Sequence, residues 1–121
     1  ELHLWVLVAI AQTESRFDNW ARGAAGELTL MQIAPFEGRE EVRLAGITDP
    51  AKAIKWAGEY LAAGYRDSNL DAALRRYNGG PGGMNSKAAH CYAASVLALG
   101  AEMVKTDALW KEVPDREGQV E

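Results

Sequence analysis

Residues 4–11, Leu-Trp-Val-Leu-Val-Ala-Ile-Ala, contain no polar side chain, and Gln12, Thr13, Glu14 and Ser15 close the run. Apolar periodicity alone does not separate a buried helix from a buried strand here. Leu, Ala, Gln and Glu favour helix, and no Gly or Pro interrupts before Gly23. The stretch 2–15 therefore predicts a helix that is apolar on nearly every side and enclosed by the rest of the domain. Residues 16–29 lack sustained periodicity and read as a loop packed onto the domain by Phe17 and Trp20. Leu30-Met31-Gln32-Ile33 predicts a short apolar turn stopped by Pro35, and residues 36–45 a polar-rich helix broken at Gly46.

Asp49-Pro50 is a helix start, with Asp as N-cap and Pro at the first helical position. The helix that follows is expected to run to about Arg66, with Ala53, Ala57, Tyr60, Leu61 and Gly64 as its apolar stripe, flanked by Trp56 and Ile54. Lys52, Lys55 and Glu59 fall on the other face. Asn69 caps a short helix with the stripe Leu70, Ala73, Leu74 and Tyr77, ended by the run Gly79-Gly80-Pro81-Gly82-Gly83. Asn85-Ser86 starts an Ala-rich helix to about Trp110, weakened at Gly100. No alternating strand pattern and no internal repeat is present, so the fold class is all-α, with about five or six helices around the first. Residues 1–112 are assigned to one domain and 113–121 to a polar tail.

Composition narrows the function classes. A chain of 121 residues, 48% hydrophobic and 25% charged, has the make-up of one globular domain with a real core. A net charge of −4 with no basic run argues against nucleic acid as a partner. The longest apolar run is far short of the roughly 20 residues of a membrane span. Neither an initiator Met nor a basic segment precedes it, so no signal peptide is assigned and the chain reads as a mature or excised domain. Cys91 has no partner for an internal disulfide and is expected to be a small buried hydrophobe. His3 and His90 lack ligand-spaced neighbours, so neither metal nor cofactor is predicted.

Glu14 is the candidate for chemistry. A carboxylate at the C-terminal end of an apolar helix meets the negative end of the dipole and loses hydration. Both favour its protonated form, as a general acid near neutral pH requires. A Glu that simply emerges into solvent is the alternative. Glu59, one turn from Lys55, reads as a solvated partner in an ion pair. Glu27 reads as an exposed loop acid, and Asp18 as a turn former.

Glu14-Ser15, Ala25-Gly26-Glu27-Leu28-Thr29-Leu30-Met31-Gln32 and Arg76-Tyr77-Asn78-Gly79-Gly80-Pro81-Gly82 stand in that order. Together they resemble the signature of the soluble-type lytic transglycosylase domain, a relative of goose-type lysozyme. That family reads Glu-Ser, then Ala-Gly-x-x-Gly-Leu-Met-Gln, then Ala-Tyr-Asn-Ala-Gly-Pro-Gly. The resemblance extends from about Val6 to Gly83 and implies a lysozyme-like helical fold with a peptidoglycan groove. It implies cleavage of the β-1,4 bond between N-acetylmuramic acid and N-acetylglucosamine, leaving a 1,6-anhydro-muramyl end. Glu14 matches the catalytic Glu and would act as acid and then as base, where most glycosidases use two carboxylates. The substrate's N-acetyl group is expected to stabilise the cation at the anomeric carbon.

By the same resemblance Tyr77 would hydrogen-bond Glu14, with Asn78 in the turn that holds it. Gln32 offers a donor and an acceptor to sugar hydroxyl or N-acetyl groups, Met31 lines an apolar sugar face, and Ser15 contacts substrate. Taken singly, Met31 and Tyr77 could be plain core, Gln32 a surface residue, and Ser15 a helix-end hydrogen-bonder. Thr29 stands where the family has Gly, which implies backbone strain if the position needs positive φ, or a narrower groove if it needs only a small side chain. The expected partner is the glycan strand, and the expected location the periplasm or cell wall or a phage lysis apparatus, the domain being a piece of a larger protein or machine. A hydrolytic lysozyme of the same fold and a catalytically weak wall-binding module are the competing functions.

Overall fold

The computed structural model describes residues 4–34, 49–65 and 69–112. Four α-helices occupy them: α1 (Leu4–Ser15), α2 (Pro50–Gly64), α3 (Leu70–Gly83) and α4 (Lys87–Lys111). The helix expected over residues 36–45 and the tail 113–121 lie outside the described residues. The only strand-like pairings among these residues are the isolated bridges Arg22–Leu28 and Leu28–Ile33, so the class is all-α as the patterning predicts.

Local chemistry starts the helices where expected. Asp49 Oδ1 accepts from the Ala51 amide at 3.1 Å, and Asn69 Oδ1 from the Ala72 amide at 3.0 Å. Ser86 Oγ caps α4 by accepting from the Ala89 amide at 3.0 Å. α2 buries Ala53, Ala57 and Leu61, and enclosing a leucine such as Leu61 contributes roughly 2 kcal/mol. α3 is kinked at Gly80 (φ 70°, ψ 176°) instead of stopping at the glycines, because Pro81 can open a further helical turn there. Arg75 fastens the following turn, reaching Asp71, the Met84 carbonyl and Asn85.

α1 packs chiefly on α4, and α3 lies against both α4 and α2. The core draws on Val6, Ala9, Ile10 and Ala11 of α1, Ala73 and Leu74 of α3, Ala93 and Val96 of α4, and Leu30, Met31 and Ile33 of the turn after α1. Four further expectations change. α1 is not enclosed along its whole length, since Leu4 is 65% exposed. Phe17 and Trp20, 51% and 62% exposed, do not pin the loop. Arg16 and Phe17 both take positive φ, returning their amides to the Gln12 and Ala11 carbonyls and turning the Phe17 ring outward. Cys91 is exposed, because the buried stripe of α4 runs through Ala89, Ala93 and Val96 and leaves position 91 on the other face. α4 also continues through Gly100 unbroken, and that glycine is buried with the Trp5 carbonyl beside it.

Candidate active site

A cleft of about 420 Å³ opens where the end of α1, the turn after it, α2 and α3 meet. Glu14, Ala25, Glu27 and Gln32 line it together with Trp56 and Tyr60 of α2 and Tyr77, Asn78, Gly79 and Gly80 of α3. Three chain segments far apart in sequence therefore face one space.

Glu14 sits in the last turn of α1, mostly withdrawn from water. Burial pushes its carboxyl from an ordinary 4.5 up to about 7. The hydroxyl of Tyr92, which donates to Glu14 Oε2 at 3.0 Å, works in the opposite direction, and the charge of Glu27 adds to the rise. The Tyr92 phenol is itself driven above the usual phenol range, by burial first and then by the Glu14 charge. Near pH 7 such a carboxyl is present in both forms, so it can give a proton and take one back.

The hydroxyl on Glu14 is thus Tyr92's and not Tyr77's, which corrects the expected pair. Tyr77 donates instead to the Met31 carbonyl at 2.7 Å. Its ring lies nearly parallel to that of Tyr92, centroids 6.5 Å apart, and meets Tyr60 edge-on at 6.0 Å. Trp56 stacks on Tyr60 at 5.0 Å. Each such contact adds roughly 1 kcal/mol beyond area burial, so a run of rings from Trp56 to Tyr92 stiffens the wall beside Glu14. Arg76 covers Tyr60, its guanidinium carbon 4.1 Å from the ring centroid, and donates to the Tyr60 carbonyl at 3.0 Å.

The turn after α1 is a tight device. Leu28 and Ile33 exchange both backbone hydrogen bonds, at 3.0 and 2.8 Å, around Thr29-Leu30-Met31-Gln32. Thr29 (φ 74°) and Gln32 (φ 49°) sit in the left-handed region at its corners. Of the two consequences foreseen for Thr29, backbone strain is the one that applies. Its side chain is wholly buried, outside the cleft lining, with Oγ1 accepting from the Met31 amide at 3.2 Å. The groove is not narrowed there.

Gln32 reaches the cleft with its amide fixed, Nε2 donating to the Ala21 and Thr29 carbonyls at 3.1 and 2.8 Å. That arrangement leaves Oε1 as an acceptor. Asn78 lines the opposite segment. Ser15 and Met31 stand behind the cleft rather than in it. Ser15 Oγ engages the Leu30 and Ala11 carbonyls at 2.7 and 3.2 Å, tying α1 to the turn, and Met31 is only 1% exposed, so its side chain cannot line a sugar face. Sequence reasoning passed over Tyr92, Glu27, Trp56 and Tyr60 as site residues. Tyr92 had one available signal: it falls on the inward stripe of α4 with Ala89, Ala93 and Val96. No group of three or more metal-ligating side chains occurs among the described residues, and none of their helices is long and apolar enough to cross a membrane.

A family model described as the Transglycosylase SLT domain matches residues 1–96. Among solved structures the chain is similar to the 70 kDa soluble lytic transglycosylase from Escherichia coli. That match has a TM-score of 0.69 at 22% sequence identity and covers 84% of this chain and 21% of the other. The likeness is one of fold, and the chain spans about a fifth of that relative's length. No curated protein sequence matches.

Proposed function

The chain belongs to the transglycosylase SLT domain family, and from that premise we propose that it is a peptidoglycan lytic transglycosylase with residues 1–112 as its catalytic unit. Its substrate is the glycan strand of the bacterial cell wall, cut between N-acetylmuramic acid and N-acetylglucosamine. Glu14 in its acid form gives its proton to the glycosidic oxygen, and the bond to the anomeric carbon breaks. The substrate's N-acetyl oxygen stabilises the positive carbon. Glu14, now a carboxylate accepting from Tyr92, takes the proton of the sugar's 6-hydroxyl as that oxygen bonds to the anomeric carbon. The 1,6-anhydro ring closes, Glu14 regains its proton, and no water is consumed.

The observation that carries this reading is Glu14, raised to about 7 inside the cleft that Gln32 and Asn78 also line. Gln32 Oε1 and the Asn78 amide are assigned to sugar hydroxyl and N-acetyl groups, Tyr77 and Met31 to holding the turn, and Ser15 to joining α1 to it. The buried Thr29 side chain leaves the cleft unobstructed, which favours an enzyme over a binding module. Digestion of purified sacculi tests the proposal. The wild-type domain should release muropeptides with anhydro-muramyl ends, and Glu14→Gln should release none while still binding glycan. Undiminished release by Glu14→Gln would refute the assignment, and reducing muramyl ends would make the domain a hydrolase.

A further inference from the structure

Glu27 has no task in that mechanism, yet it is placed with care. Among the described residues it is the second carboxylate of the cleft. Its Oε1 accepts from the Ala25 amide at 2.8 Å, so the side chain is folded back on its own turn. The turn is pinned by the Gly23 amide on the Glu27 carbonyl at 2.9 Å and by the Gly26 amide on the Gly23 carbonyl at 3.0 Å. Gly23 makes the room: a Cβ there would lie 2.7 Å from Glu27 Cδ. No Lys or Arg of the described residues pairs with Glu27 or with Glu14.

Among the described residues, the other titratable and charged groups around Glu14 are of a different kind. α4 supplies Tyr92, which donates to it, and α3 supplies Tyr77, bonded to the Met31 carbonyl. α2 supplies Tyr60, covered by Arg76 of α3. Arg16 and Arg22 are exposed, and Arg22 is turned back onto the Trp20 and Ala21 carbonyls. Among the described residues, Glu27 alone puts a second carboxylate into the cleft beside Glu14.

We propose that Glu27 is a positioning residue, whose charge holds the proton on Glu14 in the empty cleft so that the acid is loaded when glycan arrives. The role rests on Glu14 being the acid of the preceding section. Like charges sharing a low-dielectric site resist ionising together, and the Glu27 charge acts on Glu14 in that direction. Glu27 then needs no contact with the reacting atoms.

Glu27→Gln is the test, because glutamine keeps an Oε1 acceptor for the Ala25 amide and removes only the charge. Two readouts are followed: the ¹³C NMR titration of the Glu14 carboxyl in the free protein, and the pH profile of kcat/KM on soluble glycan strands. The Glu14 midpoint should move to lower pH and the alkaline limb of the profile with it, while KM stays near wild type. Each half unit of that movement is about a threefold loss of rate on the alkaline side. Glu27→Asp should recover part of the wild-type midpoint. An unmoved midpoint in Glu27→Gln overturns the proposal, as does a loss of activity confined to Glu27→Ala, which would mark a purely structural anchor. A moved midpoint in a protein that cleaves no glycan would support the charge effect and sink the activity instead.

Discussion

Holding Glu14 ready costs fold stability, and the cost can be measured with Glu14→Gln. The folded carboxyl binds its proton to about 7 against an ordinary 4.5 in the unfolded chain. Below about pH 4 both states are protonated and the group is neutral to folding. As pH rises through the interval the unfolded chain ionises first, so stability falls, and the fall is complete once the folded carboxyl has also ionised. The sign is opposite to that of a salt-bridged carboxylate, whose stabilisation is lost on acidification. The displacement corresponds to roughly 3 kcal/mol, an appreciable part of the 5–15 kcal/mol typical of a domain. Glutamine is close in shape, can still accept from Tyr92, and does not ionise. Urea unfolding of both proteins from pH 4 to pH 8.5 is the assay. Glu14→Gln should match wild type within about 1 kcal/mol at pH 4 and exceed it by about 2–3 kcal/mol at pH 8, with the difference opening between pH 4.5 and 7. A variant no more stable than wild type at pH 8 would refute the burial argument.

Tyr92→Phe removes a donor that favours the ionised form of Glu14, so the Glu14 midpoint should move up, opposite to Glu27→Gln, and kcat should fall because the base step loses its support. An NMR titration with parallel kinetics checks both, and a midpoint that moves down contradicts the assigned hydrogen bond. At Thr29 strain and hydroxyl can be separated. Thr29→Val keeps the positive φ but strands the buried Met31 amide, and should cost about 1–3 kcal/mol in urea unfolding. Thr29→Gly relieves strain worth about 1–3 kcal/mol while losing the hydroxyl, and should stay within about 1 kcal/mol of wild type. A valine variant as stable as wild type would show that the hydroxyl does nothing.

What could be foreseen from the chain was what local chemistry decides. Asp49 and Asn69 cap their helices because an Asx side chain before an apolar stripe has little else to bond. Glu14 is legible because eight apolar residues lead up to it, and Thr29 because it stands where the resembled family has glycine. The errors share a different origin. Tyr77 and Tyr92 are both inward tyrosines on neighbouring helices, and only the packing of α3 on α4 decides which hydroxyl reaches a carboxylate 78 positions away from Tyr92. Met31 was aimed at substrate because its motif lies at the groove, yet the left-handed corners at Thr29 and Gln32 turn its side chain into the core. Glu27 looked like a loose loop acid, since nothing in its own segment reveals that Gly23 leaves space for its carboxyl. The pattern does not reveal that Phe17 faces outward, because the consecutive positive φ values at Arg16 and Phe17 have no signature in those residue types.

In the proposed mechanism Glu14 serves as acid and then as base, so that the sugar's own 6-hydroxyl closes the ring. Digesting sacculi with the wild-type domain in ¹⁸O-enriched water and weighing the new muramyl ends tests this most directly. Ring closure by the 6-hydroxyl should give ends lighter by one water than a reducing sugar and free of ¹⁸O at every degree of digestion. Reducing ends that carry ¹⁸O from the first products onward would contradict it.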